Sequence, residues 1–406
     1  MLQRTVLNKL LYPLPRNFWL GYYNKFSDDV FEIQNKSESN TESVHNDKSA
    51  YNTEEVTRLL KESATYKDMN NKEWNTTPYP ADILETEKPK NDSKDFSVVL
   101  FPGQGIIKVG MIQKYIHFPG VKDLFDITNE LLGYNLLKLC LEGPQEKLNR
   151  TEFNQVATVI SSIAGLEKVR EERPNVFNSC IATAGYSVGE ISALIFSGVI
   201  SFEDGIRLAS VRGKAMQYAS DKLPQGMLSI TCTPTTKIHK ACEDAIQWAI
   251  EKGVENPICR VAVFLSTERK ILAGNIETLE YIESHRKEYG LTNLNRLPVS
   301  GAFHTVLMEP AVKAVSTALN SITIDEPRCK VYSNYKAEPY KDMKFAKKLI
   351  CKQMVSPVKW EQCIQRIYNR PQNMSFPRTL DIGSEGRMKT ILKMINAKAA
   401  HMCIVV

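Results

Sequence analysis

From Phe96 onward, short apolar runs alternate with stretches of helical periodicity. "FSVVLFPGQG" opens the pattern: residues 98–101 are apolar and open with two β-branched valines, and Pro102, Gly103 and Gly105 end the run. This predicts a buried strand running into a tight loop. "CIATAGYSVGE" repeats the design with smaller residues, and "TLDIGSEGRMKTILKMI" repeats it near the end of the chain. Between the first two, "EKLNRTEFNQVATVISSIAGLEKVREE" places Leu148, Val156, Val159, Ile160, Ile163 and Leu166 on roughly one face of a predicted helix. Strands alternating with helices predict an α/β fold with a parallel sheet covered on both sides. Sites in such folds sit at the carboxyl ends of the strands, where the glycine loops fall.

The stretch 226–296 has a different rhythm. "GMLSITCT" and "CRVAVFLSTERKILAGN" read as strands, "TKIHKACEDAIQWAIEKG" and "IETLEYIESHRKEYG" as helices. That order predicts a small inserted α+β subdomain of ferredoxin-like type. The main domain would then be built from 96–225 and 297–406.

The first 95 residues do not fit either pattern. "MLQRTVLNKLLYPLPRNFWLGYYNKFS" contains Arg4, Lys9, Arg16 and Lys25 and no acid before Asp28, with Leu2, Val6, Leu10 and Leu11 at nearly helical spacing. A basic, acid-free, amphipathic start predicts a mitochondrial transit peptide over 1–27, against the plainer reading of a basic tail. Residues 28–95 are rich in Asn, Ser, Thr and charge, with almost nothing to bury, and read as a disordered linker. A short helix around "TEEVTRLLKES", capped by Thr53, would interrupt it.

Composition narrows the function classes. The chain of 406 residues is 43% hydrophobic and 24% charged, as expected of a globular protein. No apolar stretch is long enough to span a bilayer. A formal charge of +6 without a dense basic stripe gives no footprint for nucleic acid. The 9 cysteines are scattered without a C-x-x-C pair, which argues against a disulfide framework or zinc site and for a reducing compartment.

The sharpest chemical signal is Gly185-Tyr186-Ser187-Val188-Gly189, a G-x-S-x-G nucleophile elbow between a predicted strand and a predicted helix. The following helix would aim its amino end at the serine oxygen, with the Val188 N–H as one oxyanion donor. A serine needs a base. Of six histidines, His304, in "LPVSGAFHTVLMEPAV", has the best context, a small-residue loop opening an apolar helix. A lone histidine is also often structural. The glycines of "FPGQG" would let the Gln104 N–H supply a second oxyanion donor, although the same residues make an ordinary turn.

Together "FPGQG", "GYSVGE", "VRGKAMQ" and "LPVSGAFHTVLMEPA" resemble the malonyl-CoA:acyl carrier protein transacylases, and "VYSN", "VSPVKW" and "LDIGSEGRMKTIL" continue the match over 96–397. The basic start points to the animal mitochondrial form. The resemblance implies that Ser187 carries malonyl and His304 moves its proton, with Gln104 and Val188 as the oxyanion hole. It implies that Arg212 holds the malonyl carboxylate, and that Gln155 and Gln353 line the substrate site. In this family a backbone carbonyl orients the histidine, and that carbonyl falls near Gln353. The chemistry of Arg212 agrees, since a guanidinium binds a carboxylate through two parallel hydrogen bonds; a surface arginine is the plainer alternative.

The implied activity is malonyl transfer from malonyl-CoA to the phosphopantetheine thiol of mitochondrial acyl carrier protein, in the matrix. A monomer is expected, with no metal or bound redox cofactor and no membrane insertion. Two departures stand out: Tyr186 replaces the family's usual histidine, and "VAVFLSTERKILAGN" lacks the family's Ser-Pro-Gly-like turn. The main rival is a serine esterase, with Asp381 or Asp325 behind His304; a non-catalytic carrier-binding subunit is a further one.

Overall fold

The structure is a computed structural model that describes residues 93–406. The expected transit peptide, the helix near Thr53 and all but the end of the linker lie outside the described residues. The last three residues assigned to the linker, Ser93–Asp95, form a short 3-10 turn.

Nine strands follow in chain order: β1 (Ser97–Phe101), β2 (Cys180–Gly185), β3 (Gln225–Thr231), β4 (Cys259–Phe264), β5 (Arg269–Asn275), β6 (Thr292–Arg296), β7 (Lys330–Tyr332), β8 (Arg378–Asp381) and β9 (Cys403–Val405). The helices that bear on function are α1 (Thr151–Glu172), α2 (Gly189–Ser197), α3 (Phe202–Ser220), α4 (Ile238–Glu251), α5 (Ile276–Ser284), α6 (Glu309–Asn320), α7 (Ala346–Met354) and α8 (Trp360–Ile367).

Five strands form a parallel sheet in the order β7-β2-β1-β8-β9. Residues 98–101 are fully buried, as a strand covered on both faces requires. Phe101 lies opposite Gly185 and Leu100 opposite Asp381, so β1, β2 and β8 end level with one another. Their glycine loops therefore leave the sheet side by side.

The other four strands form an antiparallel sheet in the order β4-β5-β3-β6. Their chain order is β3-α4-β4-β5-α5-β6. Leu228, Ile230, Leu272, Ala241, Ala245, Leu279 and Ile282 pack between this sheet and its two helices. One seam ties this sheet to the segment between α7 and α8: Val358 N–H donates to Ala262 and Phe264 N–H donates to Val358, both at 2.9 Å. Thr267 Oγ1 adds a hydrogen bond to Glu361 at 2.7 Å.

One expectation is corrected. The periodicity around Leu148 does not describe a single one-sided helix. Leu148 belongs to a separate short helix, Gln145–Asn149, and Arg150 interrupts the path with an extended backbone, φ −60° and ψ 137°. Within α1 every residue from Asn154 to Glu167 is buried, so the helix has no solvent face in that span. Its buried hydroxyls bond back to the preceding turn: Thr158 to the Asn154 carbonyl and Ser162 to the Thr158 carbonyl, both at 2.8 Å. α1 packs along α3, and α3 packs along α6 on its other side.

Candidate active site

The turn between β2 and α2 is built by exclusion. A Cβ on Gly185 would overlap the Gly189 carbonyl, and a Cβ on Gly189 would overlap the Pro102 carbonyl. Only glycines let the two backbones cross this closely. Between them Ser187 takes φ 53°, in the left-handed region that costs a side-chain-bearing residue energy.

Side chains from distant segments hold that conformation. Asn334, just past β7, accepts the Ser187 N–H at 2.7 Å and donates from Nδ2 to the Gly185 carbonyl at 2.8 Å. Gln353, near the end of α7, donates from Nε2 to the Ser187 carbonyl at 2.9 Å. The Ser187 peptide is thus pinned on both sides.

His304 precedes α6 and is buried, also with a positive φ of 64°. Its loop is fixed by Thr305 Oγ1, which donates to the Ala302 carbonyl at 2.7 Å, and by Ala302 N–H, which donates to Gln225 at 2.9 Å. Nε2 lies 2.8 Å from Ser187 Oγ, and Nδ1 lies 2.8 Å from the Gln353 carbonyl oxygen. A carbonyl only accepts, so the Nδ1 of His304 carries the hydrogen and donates it. Nε2 is then the free lone pair, and the serine hydroxyl donates to it. Burial, then the nearby charge of Arg212, lower His304 to about 3, and the Gln353 hydrogen bond opposes them. The imidazole is therefore a neutral base at ordinary pH.

Arg212 lies on α3 and is 1% exposed, which excludes the surface-arginine alternative. Its neighbours Arg207 and Lys214 are exposed. Nη1 donates to Gln155 Oε1 at 2.6 Å; Nη2 donates to Gln353 Oε1 at 2.9 Å and reaches Ser187 Oγ at 3.3 Å. Gln155 in turn donates to Gln104 Oε1 at 3.4 Å, and Gln104 Nε2 donates to Thr151 at 3.1 Å. Among the described residues no carboxylate forms an ion pair with Arg212. A buried cation without a directly paired carboxylate is costly unless other groups compensate it.

All seven residues singled out from the sequence meet in this one place. The backbone N–H groups of Gln104 and Val188 have no acceptor among the described residues. The Asp381 and Asp325 alternatives do not reach the histidine. Asp381 instead accepts from Ser384 Oγ and from Lys389 N–H at 3.0 Å, while the Asp325 N–H donates to the Val199 carbonyl. Tyr186 packs over Gly103 and meets Trp360 edge-on, ring centroids 5.5 Å apart.

Sequence reasoning assigned no role to Asn334, Glu190 or Tyr340. The first two lie inside recognised motifs, "VYSN" and "GYSVGE". An acid opening the otherwise apolar α2 was the available signal, but its partners are more than a hundred residues away.

The acyl transferase domain family matches residues 100–376 of the chain. A Drosophila melanogaster protein named "Probable malonyl-CoA-acyl carrier protein transacylase, mitochondrial" is 44% identical over 314 residues, 77% of this chain and 83% of that one. A Homo sapiens protein named "Malonyl-CoA-acyl carrier protein transacylase, mitochondrial" is 41% identical over 303 residues, 75% of this chain and 78% of that one. Among solved structures, the malonyl CoA-acyl carrier protein transacylase from Coxiella burnetii superposes with a TM-score of 0.68 at 25% identity, covering 78% of this chain and 95% of that one.

Proposed function

The chain belongs to the acyl transferase family and, within it, to the malonyl-CoA–acyl carrier protein transacylases, and from that premise we propose how its residues carry the transfer. It moves malonyl from malonyl-CoA to the phosphopantetheine thiol of acyl carrier protein through a malonyl-serine intermediate. The observation that carries the reading is Ser187 Oγ, 2.8 Å from the free lone pair of His304 and 3.3 Å from the buried guanidinium of Arg212.

Arg212 takes the malonyl carboxylate and leaves the thioester carbonyl beside Ser187. As Oγ bonds to the carbonyl carbon, its proton passes to His304 Nε2. The carbonyl oxygen gains charge and is met by the Gln104 and Val188 N–H groups. When the carbon–sulfur bond breaks, His304 gives the proton to the coenzyme A thiolate. The carrier thiol then repeats the sequence: its proton goes to His304, its sulfur takes the acyl carbon, and Ser187 recovers its hydrogen. Gln155 and Gln353 hold the guanidinium throughout.

On the scale of the chain, we read 1–27 as a transit peptide and 28–95 as a linker. We read 96–225 with 297–406 as a hydrolase-like main domain and 226–296 as a ferredoxin-like subdomain. The protein works in the mitochondrial matrix as a monomer and needs no cofactor beyond its thioester substrate. The names of the animal relatives support the mitochondrion as the organelle.

Incubation with malonyl-CoA should add a malonyl-sized mass to the peptide holding Ser187, and Ser187→Ala should abolish it. Arg212→Ala should lower kcat/KM for malonyl-CoA about a hundredfold or more, from the ~3 kcal/mol lost when a buried ion pair is broken. It should spare acetyl-CoA. Label elsewhere, or equal losses for both thioesters, would refute the assignment.

A further inference from the structure

Glu190 takes no part in the steps above, yet it is only 2% exposed and touches the groups that hold the nucleophile in place. Oε1 accepts from the Tyr340 hydroxyl. Oε2 accepts the Asn334 backbone N–H and Gln353 Nε2, each at 3.0 Å. Those two donors belong to the residues that pin the Ser187 peptide.

Gln353 has no freedom to turn over. Its Nε2 faces two acceptors, Glu190 and the Ser187 carbonyl, so its Oε1 must face the guanidinium, 2.9 Å from Arg212 Nη2. Carboxylate, amide and guanidinium thus stand in line. Three donors and a nearby cation favour the ionised acid. Burial raises Glu190 and lowers Arg212, the latter to about 10, and each residue opposes the shift of the other.

We propose that Glu190 is a specificity-determining positioning residue: as a carboxylate it balances Arg212 through Gln353, and so sets how tightly the pocket grips an acyl group bearing its own carboxylate. The proposal rests on the malonyl reading above. An incoming malonyl carboxylate feels the attraction of Arg212 reduced by the repulsion of Glu190. The grip is loose enough for the acyl group to pass on to the second thiol, and a lone buried guanidinium would hold it longer.

The test is calorimetric binding of malonyl-CoA and acetyl-CoA to the full chain carrying Ser187→Ala, so that neither is turned over. Glu190→Gln keeps the shape, since its Oε1 fits the same two N–H donors and its Nε2 fits the tyrosine oxygen. It should tighten malonyl-CoA about tenfold, the order expected for charges one side chain apart at the effective dielectric of a protein. Acetyl-CoA should not change, and adding Arg212→Met should erase the difference.

Equal shifts for both ligands, or none for malonyl-CoA, overturn the proposal, because a merely structural carboxylate would not separate them. Failure of the transacylase reading looks different. The Ser187→Ala protein with Glu190 intact would then bind both thioesters alike, and the proposal would fall with that reading.

Discussion

His304 shows how neighbours set the chemistry of one side chain. Moved from 6.5 to about 3, it stays unprotonated through the mildly acidic range. Labelling of Ser187 by a serine-directed acylating reagent should therefore hold its rate from about pH 8 down to about pH 5, because the base form persists. A fall centred near 6.5 would show that the imidazole titrates normally. Stability follows by linkage. The unfolded chain binds this proton near 6.5, whereas the folded chain refuses it until about 3. The stability tied to the neutral imidazole is complete above the first value and is lost as pH falls toward the second. Urea unfolding across that window should show a smaller acid-side loss for His304→Asn than for the parent.

Elements divide into those whose sequence speaks for itself and those defined by what surrounds them. The elbow is of the first kind, because its glycines exist to relieve a local backbone crossing. The start of α3 is also local: Ser201 accepts the Asp204 N–H at 3.1 Å and lies at the surface. Ser201→Ala should cost about 1 kcal/mol in denaturant unfolding and leave malonyl transfer unchanged. α1 is of the second kind. Periodicity marks a helix only where one face meets water, and α1 has none between Asn154 and Glu167. The same limit hid Asn334 and Glu190. Ser187, His304 and Arg212 were legible because an elbow, a histidine loop and an arginine motif each have a recognisable form. An asparagine after β7 acquires meaning only once β7 lies beside β2.

At the scale of the whole molecule the second sheet is more than an appendage. Val358 joins its edge strand β4, between Gln353, whose carbonyl faces His304 Nδ1, and Trp360, which meets Tyr186. Val358→Pro removes the N–H given to Ala262 and leaves that buried carbonyl unpaired, at a cost of about 1–3 kcal/mol. We expect kcat to fall while circular dichroism stays native. Unchanged kcat would mean that the seam is structurally idle.

The group behind His304 carries no formal charge. In the proposed transfer an imidazolium facing a carbonyl and a guanidinium has little to keep it, so the proton it takes is returned to the nearest sulfur or oxygen. Run backwards, the second half of the reaction repeats the first with a different thiol. Such a centre has no built-in preference for direction, and net flow through it follows the relative supply of the two thioesters and their free thiols.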